Sequence, residues 1–311
     1  MRHLRTFLPL ERNVLVVSST AFLLFISLFA WYPLLPLHFR DLGANDAQVG
    51  LAYSLLAVGF TLMQFAGGLI TERYGRKLPI VLPSFAFVPL YALAGAARSW
   101  TTLLGAMFLI NSLSAIQWPA FISLLAESVQ DGQRGRAFGV FDFMVGLGTA
   151  IGPGIGAVLL PSMGIKPLIY TTAIASLVCA IARALTLRET MNQPSPVEMH
   201  ELRRTFNPDL RWFLVAACLF ALTYNLTLWG PFPSLHAKDA WGLSKPQINR
   251  LFAIGGLAAS AAGLLGGRLA DHYGARDVLI ASCLGHVLAT LSWALAGTSL
   301  LGLALFVAAN A

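Results

Sequence analysis

Long apolar segments alternate with short polar loops along the whole chain. Each of nine segments has about 20 residues, the length that a helix needs to cross roughly 30 Å of hydrocarbon. Their apolar positions run on continuously and do not alternate with polar ones, as the strands of a membrane barrel must. We therefore predict membrane-spanning helices, which satisfy their backbone hydrogen bonds internally. The predicted spans are Val14–Phe39, Val49–Ile70, Leu78–Ala97, Thr101–Ala126, Ala137–Leu160, Pro167–Leu185, Trp212–Ala237, Ile248–Gly267 and Val278–Thr298. A tenth apolar segment, Ser299–Ala311, would cover only about 20 Å as a helix and is too short to cross.

The composition agrees with a membrane protein and excludes an ordinary cytosolic enzyme. Hydrophobic residues make up 57% of the chain and charged residues 11%, whereas about a quarter of a soluble domain is charged. The three cysteines lie in three different apolar segments, at spacings that suit neither a disulfide framework nor a metal site. No HExxH, GxSxG or Walker motif is present. We predict no enzyme, no metal and no cofactor.

The basic residues set the predicted orientation. The net charge is +7 and the pI about 9.7, which on their own would also suit a nucleic-acid partner. With the N-terminus inside the cell, fifteen Lys and Arg fall on the cytoplasmic side and six on the outer side. This is the bias that cytoplasmic loops of membrane proteins carry. We predict a multi-pass protein of the cell membrane (inner or plasma membrane) with a cytoplasmic N-terminus, in contact with lipid and not with nucleic acid.

An internal repeat divides the chain into two halves. The segment Leu42–Lys77 matches Trp241–Arg276 without gaps, including paired glycines and a Tyr-Gly pair before the basic end. Between the repeats lies a polar, proline-containing stretch, residues 186–211, which has the character of a linker. We predict an N-terminal six-helix bundle over residues 1–185, a cytoplasmic linker over 186–211 and a partial C-terminal bundle over 212–311.

One charged loop carries a specific resemblance. The residues that carry it are Gly68, Glu72, Arg73, Gly75, Arg76 and Lys77, with a degenerate copy that ends in Asp271 and Arg276. This loop resembles the signature between helices 2 and 3 of the major facilitator superfamily, with Glu72 where an aspartate is usual. The resemblance implies an all-α integral membrane protein with the two-bundle fold of that superfamily. The N-terminal half would be a complete six-helix bundle, and the C-terminal half incomplete, with about nine full spans and a partial tenth in all. It further implies a monomer that moves a small molecule by alternating access.

In the family that it resembles, this loop belongs to a gating charge network. The acid and the arginine four residues later, here Glu72 and Arg76, stabilise the outward-facing state by bridging to neighbouring helices. Glu127, at the inner end of the fourth span, is placed to pair with Arg76. The alternative is that Glu127 is only a solvated helix end.

A second motif lies in the fifth span. Gly148, Gly152, Pro153 and Gly156 resemble the fifth-helix motif of the twelve-helix drug:proton antiporters. Small residues four apart let helix backbones approach closely, and an internal proline removes one helical hydrogen bond.

Candidates for coupling and for a central cavity lie inside the spans. Asn111 stands where proton-coupled members of the family carry an arginine, which weakens the argument for proton coupling. Asp142 is the only carboxylate inside a span, and a charge there is costly enough to suggest a role; it could instead pair with nearby arginines at the inner face. The polar and aromatic candidates for the cavity wall are Gln64, Asn111, Trp118, Tyr224 and Asn225.

These features favour a secondary active transporter of a small molecule, of the efflux type and coupled to a proton. A uniporter or importer of the same fold is the alternative that Asn111 favours. A third interpretation is a non-transporting fragment, because the chain stops inside the tenth segment.

Overall fold

The computed structural model describes residues 11–191, 230–296, 302 and 304–307. Within these ranges every regular element is helical. The α-helices are α1 Arg12–Phe29, α2 Leu35–Asp41, α3 Asp46–Tyr74, α4 Lys77–Ala96, α5 Trp100–Glu127, α6 Arg134–Met163, α7 Ile165–Thr186, α8 Phe232–Asp239, α9 Lys245–Tyr273 and α10 Ala275–Leu295. Short 3-10 turns at Tyr32–Leu34 and Asp131–Gln133 precede α2 and α6.

Six helical segments of the described chain are long and apolar enough to cross a membrane, and they coincide with the first six predicted spans. The first of them runs from Arg12 to Asp41 and takes in α1, the 3-10 turn and α2. The helices α9 and α10, of 29 and 21 residues, lie at the eighth and ninth predicted spans. Most of the seventh span and most of the linker, from residue 192 to 229, lie outside the described residues.

The chain separates into two compact units. The first unit comprises Met1–Ser27, Ser54–Gly148 and Ile169–Val197, and the second comprises Leu28–Tyr53, Thr149–Leu168 and Glu198–Ala311. In the first unit, α1, α4, α5, α6 and the segment after α7 share an apolar core. That core is built from Val14, Val17, Ala21, Ile80, Ala120, Phe121, Leu124, Leu125, Ala137, Phe141 and Leu187.

The sequence repeat has the same local structure in both copies. At the start of α3, Asn45 and Gln48 bond each other's backbone N–H, both at 2.9 Å, which is a capping box. At the start of α9, Gln247 accepts from both the N–H and the hydroxyl of Ser244 at 2.8 Å. The same residue spacing therefore fixes where both helices begin.

The repeated Tyr-Gly pair is explained by backbone geometry. The turns after α3 and α9 need a positive φ, 88° at Gly75 and 91° at Gly274. Glycine adopts this conformation without the steric cost that a Cβ brings.

Candidate functional site

The turn between α3 and α4 buries a charged side chain. Gly75 reverses the chain, and Arg76 directly after it folds back so that only 7% of its surface is exposed. Its Nη1 donates to the carbonyl oxygen of Thr71 at 2.7 Å. A guanidinium held this way needs negative partners, because burying an isolated charge is costly.

Two carboxylates supply the charge. Glu127, the last residue of α5, accepts from Arg76 Nη2 at 2.8 Å and from Nε at 3.1 Å. Glu72, one turn earlier on α3, lies 3.2 Å from Nη2. Both carboxylates are about one-third exposed. Burial by itself would lower the pKa of Arg76, but the bonds to Glu127 and the charges of Glu127 and Glu72 outweigh it and raise that pKa. The structure thus brings together three residues that the sequence placed in one network.

A fourth charged residue, which the sequence analysis missed, completes this Arg76 cluster. The carboxylate of Glu189 accepts from the backbone N–H of Arg76 at 2.9 Å and from that of Lys77 at 3.0 Å. Burial raises the pKa of Glu189, but bonds from four backbone N–H groups, those of Arg76, Lys77, Met191 and Thr190, lower it by more. Glu189 lies 113 residues from Arg76 in sequence, inside the polar stretch taken as a linker, so no local pattern pointed to it.

The same segment is bound to two other helix ends. Thr190 donates its hydroxyl to Glu127 at 2.6 Å. Asn13 of α1 donates to the carbonyl of Arg188 at 3.1 Å and accepts from its N–H at 2.9 Å, and its amide also reaches the Ser128 hydroxyl at 2.9 Å. The residues after α7 therefore connect α1, α4 and α5 at the Arg76 cluster.

The other residues of the charged loop are placed differently. Arg73 lies over the ring of Tyr74, 5.4 Å from its centre. A Cβ at Gly67 would come within 2.7 Å of the Ile116 Cα, whereas a Cβ at Gly68 would meet none of the described atoms within 4 Å. The close crossing of α3 with α5 is thus made at Gly67 and not at Gly68. In the second copy Arg276 is exposed, and the side chain of Asp271 lies outside the described residues.

The glycines of the fifth-span motif lie where α6 approaches other helices. A Cβ at Gly148 would come 2.9 Å from Phe25 Cβ of α1 in the first unit. In the second unit, a Cβ at Gly156 would overlap the Ala30 carbonyl. Gly152 and Pro153 are buried, and α6 continues unbroken through Pro153.

The cavity and coupling candidates that the structure describes lie in different surroundings. Asp142 is exposed on α6 and forms no ion pair with any residue that the structure describes. The amide of Asn111 donates to Met107 O of its own helix at 3.0 Å. Trp118 packs edge-on against Phe121 and Phe141, and Gln64 is exposed on α3. Tyr224 and Asn225 lie outside the described residues.

A fully buried arginine was also missed. Arg183 of α7 is 1% exposed, and its Nε and Nη1 donate to the hydroxyls of Thr20 at 3.0 Å and of Ser84 at 2.8 Å. Its guanidinium lies over the Phe121 ring, 5.0 Å from the centre. In the sequence it is only one of several basic residues at the ends of predicted spans. It connects four helices of the first unit, α1, α4, α5 and α7.

The second unit contains a separate set of ion pairs. Arg40 at the end of α2 binds both carboxylate oxygens of Asp239 at the end of α8, each at 2.8 Å, and its Nε donates to Asp46 at 2.7 Å. Lys245 forms an ion pair with Asp41. The bonds from Arg40 lower the pKa of Asp239, and they outweigh burial, which would raise it. The Arg40–Asp239 and Lys245–Asp41 pairs join segments about 200 residues apart in sequence.

Two buried hydrogen bonds join the same segments through backbone carbonyls. Asn249 of α9, which is fully buried, donates to Ala30 O at 2.8 Å. Ser234 of α8 donates to Pro33 O at 2.5 Å. Both acceptor carbonyls lie where the first span breaks between α1 and α2. Side chains of the second sequence half therefore donate hydrogen bonds to backbone carbonyls of the first half.

The helices, the duplicated turns and the buried charges at helix ends define a multi-pass α-helical membrane protein built from two related halves. The chain belongs to the Major Facilitator Superfamily, whose family model matches residues 17–310. Members of this superfamily are membrane transporters and not enzymes.

Among curated proteins the chain is similar to drug-resistance transporters. It is 26% identical over 286 residues to the multidrug resistance protein MdtG of Proteus mirabilis, covering 87% of this chain and 70% of that protein. It is 20% identical over 251 residues to the quinolone resistance protein NorA of Staphylococcus aureus, covering 80% of this chain and 64% of that protein.

Solved transporters share the fold. A bacterial homologue of the human lysosomal transporter Spinster, in an inward-facing and occupied conformation, superimposes with a TM-score of 0.73 at 19% identity, over 96% of this chain and 70% of that one. A D-xylose–proton symporter gives a TM-score of 0.72 at 12% identity, over 96% of this chain and 79% of that one.

Proposed function

We propose that the protein is a secondary active exporter of small molecules, driven by proton antiport. The observation that carries transport is the Arg76 cluster, a buried guanidinium shared by carboxylates of two helices in a facilitator fold. Such partly buried pairs add little net stability, because desolvation offsets much of their attraction. They therefore suit a contact that forms in one state and breaks in another. The similarity to MdtG and NorA supports export of drugs or metabolites.

The proposed orientation follows the basic residues. With a cytoplasmic N-terminus in the cell membrane, the Arg76 cluster lies at the cytoplasmic face and the Arg40 pairs at the outer face. This assignment agrees with the distribution of Lys and Arg between loops.

Asp142 is the proposed proton carrier. It lies within the span formed by α6, and no described residue neutralises it through an ion pair. A carboxylate inside a membrane is costly when charged, which favours cycles of protonation and release. Glu72 is the second carboxylate whose charge the transport cycle needs.

The test uses everted vesicles, whose cytoplasmic face points outward, so that export appears as uptake of a fluorescent cationic dye. A proton gradient energises the vesicles. We expect Asp142→Asn and Glu72→Gln to lose gradient-driven dye movement while the protein remains in the membrane. The matched control is Glu11→Gln, which removes an exposed carboxylate just before α1. Unchanged export by both variants would remove these two residues from the mechanism.

Asn111 favours a second function, facilitated movement without a proton. Its amide bonds to its own helix and supplies no fixed charge to the interior of α5. Substrate movement that continues at the same rate after a protonophore collapses the gradient would favour this uniporter, and arrest would favour the antiporter.

A further inference from the structure

Arg76 has five N–H groups, and one of them has a much weaker acceptor than the others. An arginine side chain carries one N–H on Nε and two on each terminal nitrogen. Oxygens of Glu127, Glu72 and Thr71 accept four of these, at nitrogen–oxygen distances of 2.7–3.3 Å. The fifth, on Nη1, is donated to the Sδ atom of Met191 at 3.5 Å. A thioether sulfur is only a weak acceptor, so this buried cation is incompletely satisfied at Met191.

Met191 is held beside Arg76 by a shared backbone contact. The Glu189 carboxylate accepts from the Met191 N–H at 3.1 Å and from the Arg76 N–H at 2.9 Å. One side chain therefore positions two residues that lie 115 positions apart in sequence. Met191 is partly exposed, whereas Arg76 is buried, so a dissolved oxidant can reach the methionine while the guanidinium stays covered.

A second donor at this site has no acceptor. The hydroxyl of Thr71 is buried and has no hydrogen-bond partner among the residues that the structure describes. The carbonyl of the same threonine shares Arg76 Nη1 with Met191. The surroundings of Nη1 thus contain one weakly bonded N–H and one unbonded O–H. A stronger acceptor than a thioether is what the site lacks.

We propose that Met191 is an oxidation site, and that its sulfoxide binds Arg76 and slows transport. Hydrogen peroxide transfers one oxygen atom to the sulfur: the O–O bond breaks, an S–O bond forms, the sulfur loses two electrons and the peroxide leaves as water. The product is polar, and its oxygen lies one bond from the sulfur that Nη1 already contacts. The flexible methionine side chain lets this oxygen turn to the fifth N–H, where it accepts a charge-assisted hydrogen bond. Methionine sulfoxide reductases reverse the step.

Oxidation of Met191 therefore adds a bond to the state in which the Arg76 cluster is formed. A contact that has to break during the transport cycle breaks more slowly when it is strengthened. This effect on transport rests on the proposed function. The oxidation and its effect on stability do not, because both can be measured on the resting protein.

Mass spectrometry and thermal unfolding test the site on the full chain in detergent. After treatment with dilute hydrogen peroxide, trypsin cleaves behind Arg188 and releases residues 189–203, and fragment ions distinguish Met191 from Met199. We expect Met191 to be oxidised before Met107, which is buried. The unfolding temperature should rise by about 1–3 °C, as one added hydrogen bond predicts, and should return after treatment with methionine sulfoxide reductase.

Variants at position 191 assign the rise to this sulfur. Met191→Leu keeps the size of the side chain but has nothing to oxidise, so peroxide should not raise its unfolding temperature. Met191→Gln supplies an amide oxygen without oxidation, and it should unfold at a higher temperature than Met191→Leu before any treatment. The matched control is Met163→Leu, which removes an exposed methionine at the end of α6 and should keep the full rise.

A second pair of variants tests the role of the guanidinium. The rise on oxidation should disappear in Arg76→Gln and remain in Arg73→Gln, since Arg73 lies over the Tyr74 ring. An equal rise in both variants would overturn the proposed contact. So would a parent protein whose Met191 is oxidised but whose unfolding temperature is unchanged or lower. The comparison of Met191→Gln with Met191→Leu decides the question where Arg76→Gln fails to fold, and equal temperatures for these two would also overturn it.

Dye export by everted vesicles tests the effect on transport. Peroxide should slow export by the parent about two- to five-fold, the effect of one hydrogen bond on a rate, and should leave Met191→Leu at its untreated rate. Equal slowing of both proteins would overturn control through Met191. Untreated parent vesicles that export no dye would refute the proposed function, whereas a rise in unfolding temperature that requires Met191 would still support the oxidation site.

Discussion

Glu189 caps the helix that begins at Lys77: its Oε2 accepts from the Lys77 backbone N–H at 3.0 Å. The first N–H groups of a helix have no partner within it. At the start of α4 the residue before Lys77 provides no side-chain cap, and a carboxylate from the segment after α7 takes that role. The first and the last helices of the N-terminal half are thus tied to the turn that carries Arg76.

Loss of this cap should destabilise the protein. We expect Glu189→Ala to cost about 1 kcal/mol, the usual value for a helix cap, and Glu189→Gln somewhat less, because one amide oxygen still accepts. Thermal unfolding in detergent measures the change, with Glu11→Gln as the exposed control. An unfolding temperature of Glu189→Ala equal to that of the control would show that the contact contributes nothing.

The same residue predicts an acid-dependent loss of stability. The folded pKa of Glu189 is lowered, because bonds from four backbone N–H groups to its carboxylate outweigh its partial desolvation. Its contribution is therefore complete above the unfolded value of about 4.3 and disappears as the pH falls through the lower folded value. We expect Glu189→Gln to flatten the dependence of unfolding temperature on pH below about pH 5. A variant and parent with parallel curves in that range would contradict this.

Arg76 should not be replaceable by lysine. The guanidinium contacts Glu127 through two nitrogens while a third reaches the Thr71 carbonyl, and an ammonium cannot match this fork. We expect Arg76→Lys to cost about 1.5–3 kcal/mol and to impair transport. Arg73→Lys is the matched control, since Arg73 only covers the Tyr74 ring. Equal unfolding temperatures for the two variants would show that the fork is dispensable.

Arg183 of α7 should contribute more to the free energy of unfolding than Arg188, which follows that helix. Arg183→Ala leaves two buried hydroxyls with fewer partners and a void beside Phe121, for which we expect a loss of about 2–4 kcal/mol. The exposed Arg188 is the control, and Arg188→Ala should change stability by less than about 0.5 kcal/mol. Unfolding temperatures and yields of folded protein compare them, and similar values would remove the proposed role of Arg183 in packing.

Two adjacent glycines should respond oppositely to alanine. At Gly67 the added methyl meets the Ile116 backbone at 2.7 and 2.9 Å, so we expect Gly67→Ala to cost about 1–3 kcal/mol. A Cβ at Gly68 would meet no described atom within 4 Å outside the adjoining backbone of α3, and Gly68→Ala should stabilise the helix by about 0.5–1 kcal/mol. The order of the two unfolding temperatures is the measurement, and a reversed order would show that α3 and α5 do not cross at Gly67.

Helix positions could be predicted because every span needs about 20 continuous apolar residues to cross the hydrocarbon of the membrane. Continuous apolar runs predicted the first six spans. The Asn-x-x-Gln and Ser-x-x-Gln boxes at the starts of α3 and α9 were recognised only from their hydrogen bonds, and the predicted starts lay three residues further on. The pairing of Arg76 with Glu127 followed from the loop that resembles the family signature.

The contacts that sequence missed are those between distant segments. No local sequence pattern distinguishes Glu189, a helix cap, from an ordinary acidic residue near a span end. The same holds for Arg183, whose guanidinium is buried and not solvated. The ion pairs of Arg40 with Asp239 and of Lys245 with Asp41 depend on which helices meet, and charge counts along loops do not show that. Apolar periodicity also could not tell which glycine of Gly67 and Gly68 lies against α5.

The bond from Asn249 to the Ala30 carbonyl has a further consequence. That carbonyl belongs to the break in the first span, where Leu34 N–H bonds to Trp31 and not to Ala30, and hydrocarbon offers it no substitute partner. If α9 moves away from this break in the transport cycle that we propose, water has to enter to the same depth and solvate the exposed oxygen. Separation of the two sequence halves and hydration of this break would then be one event.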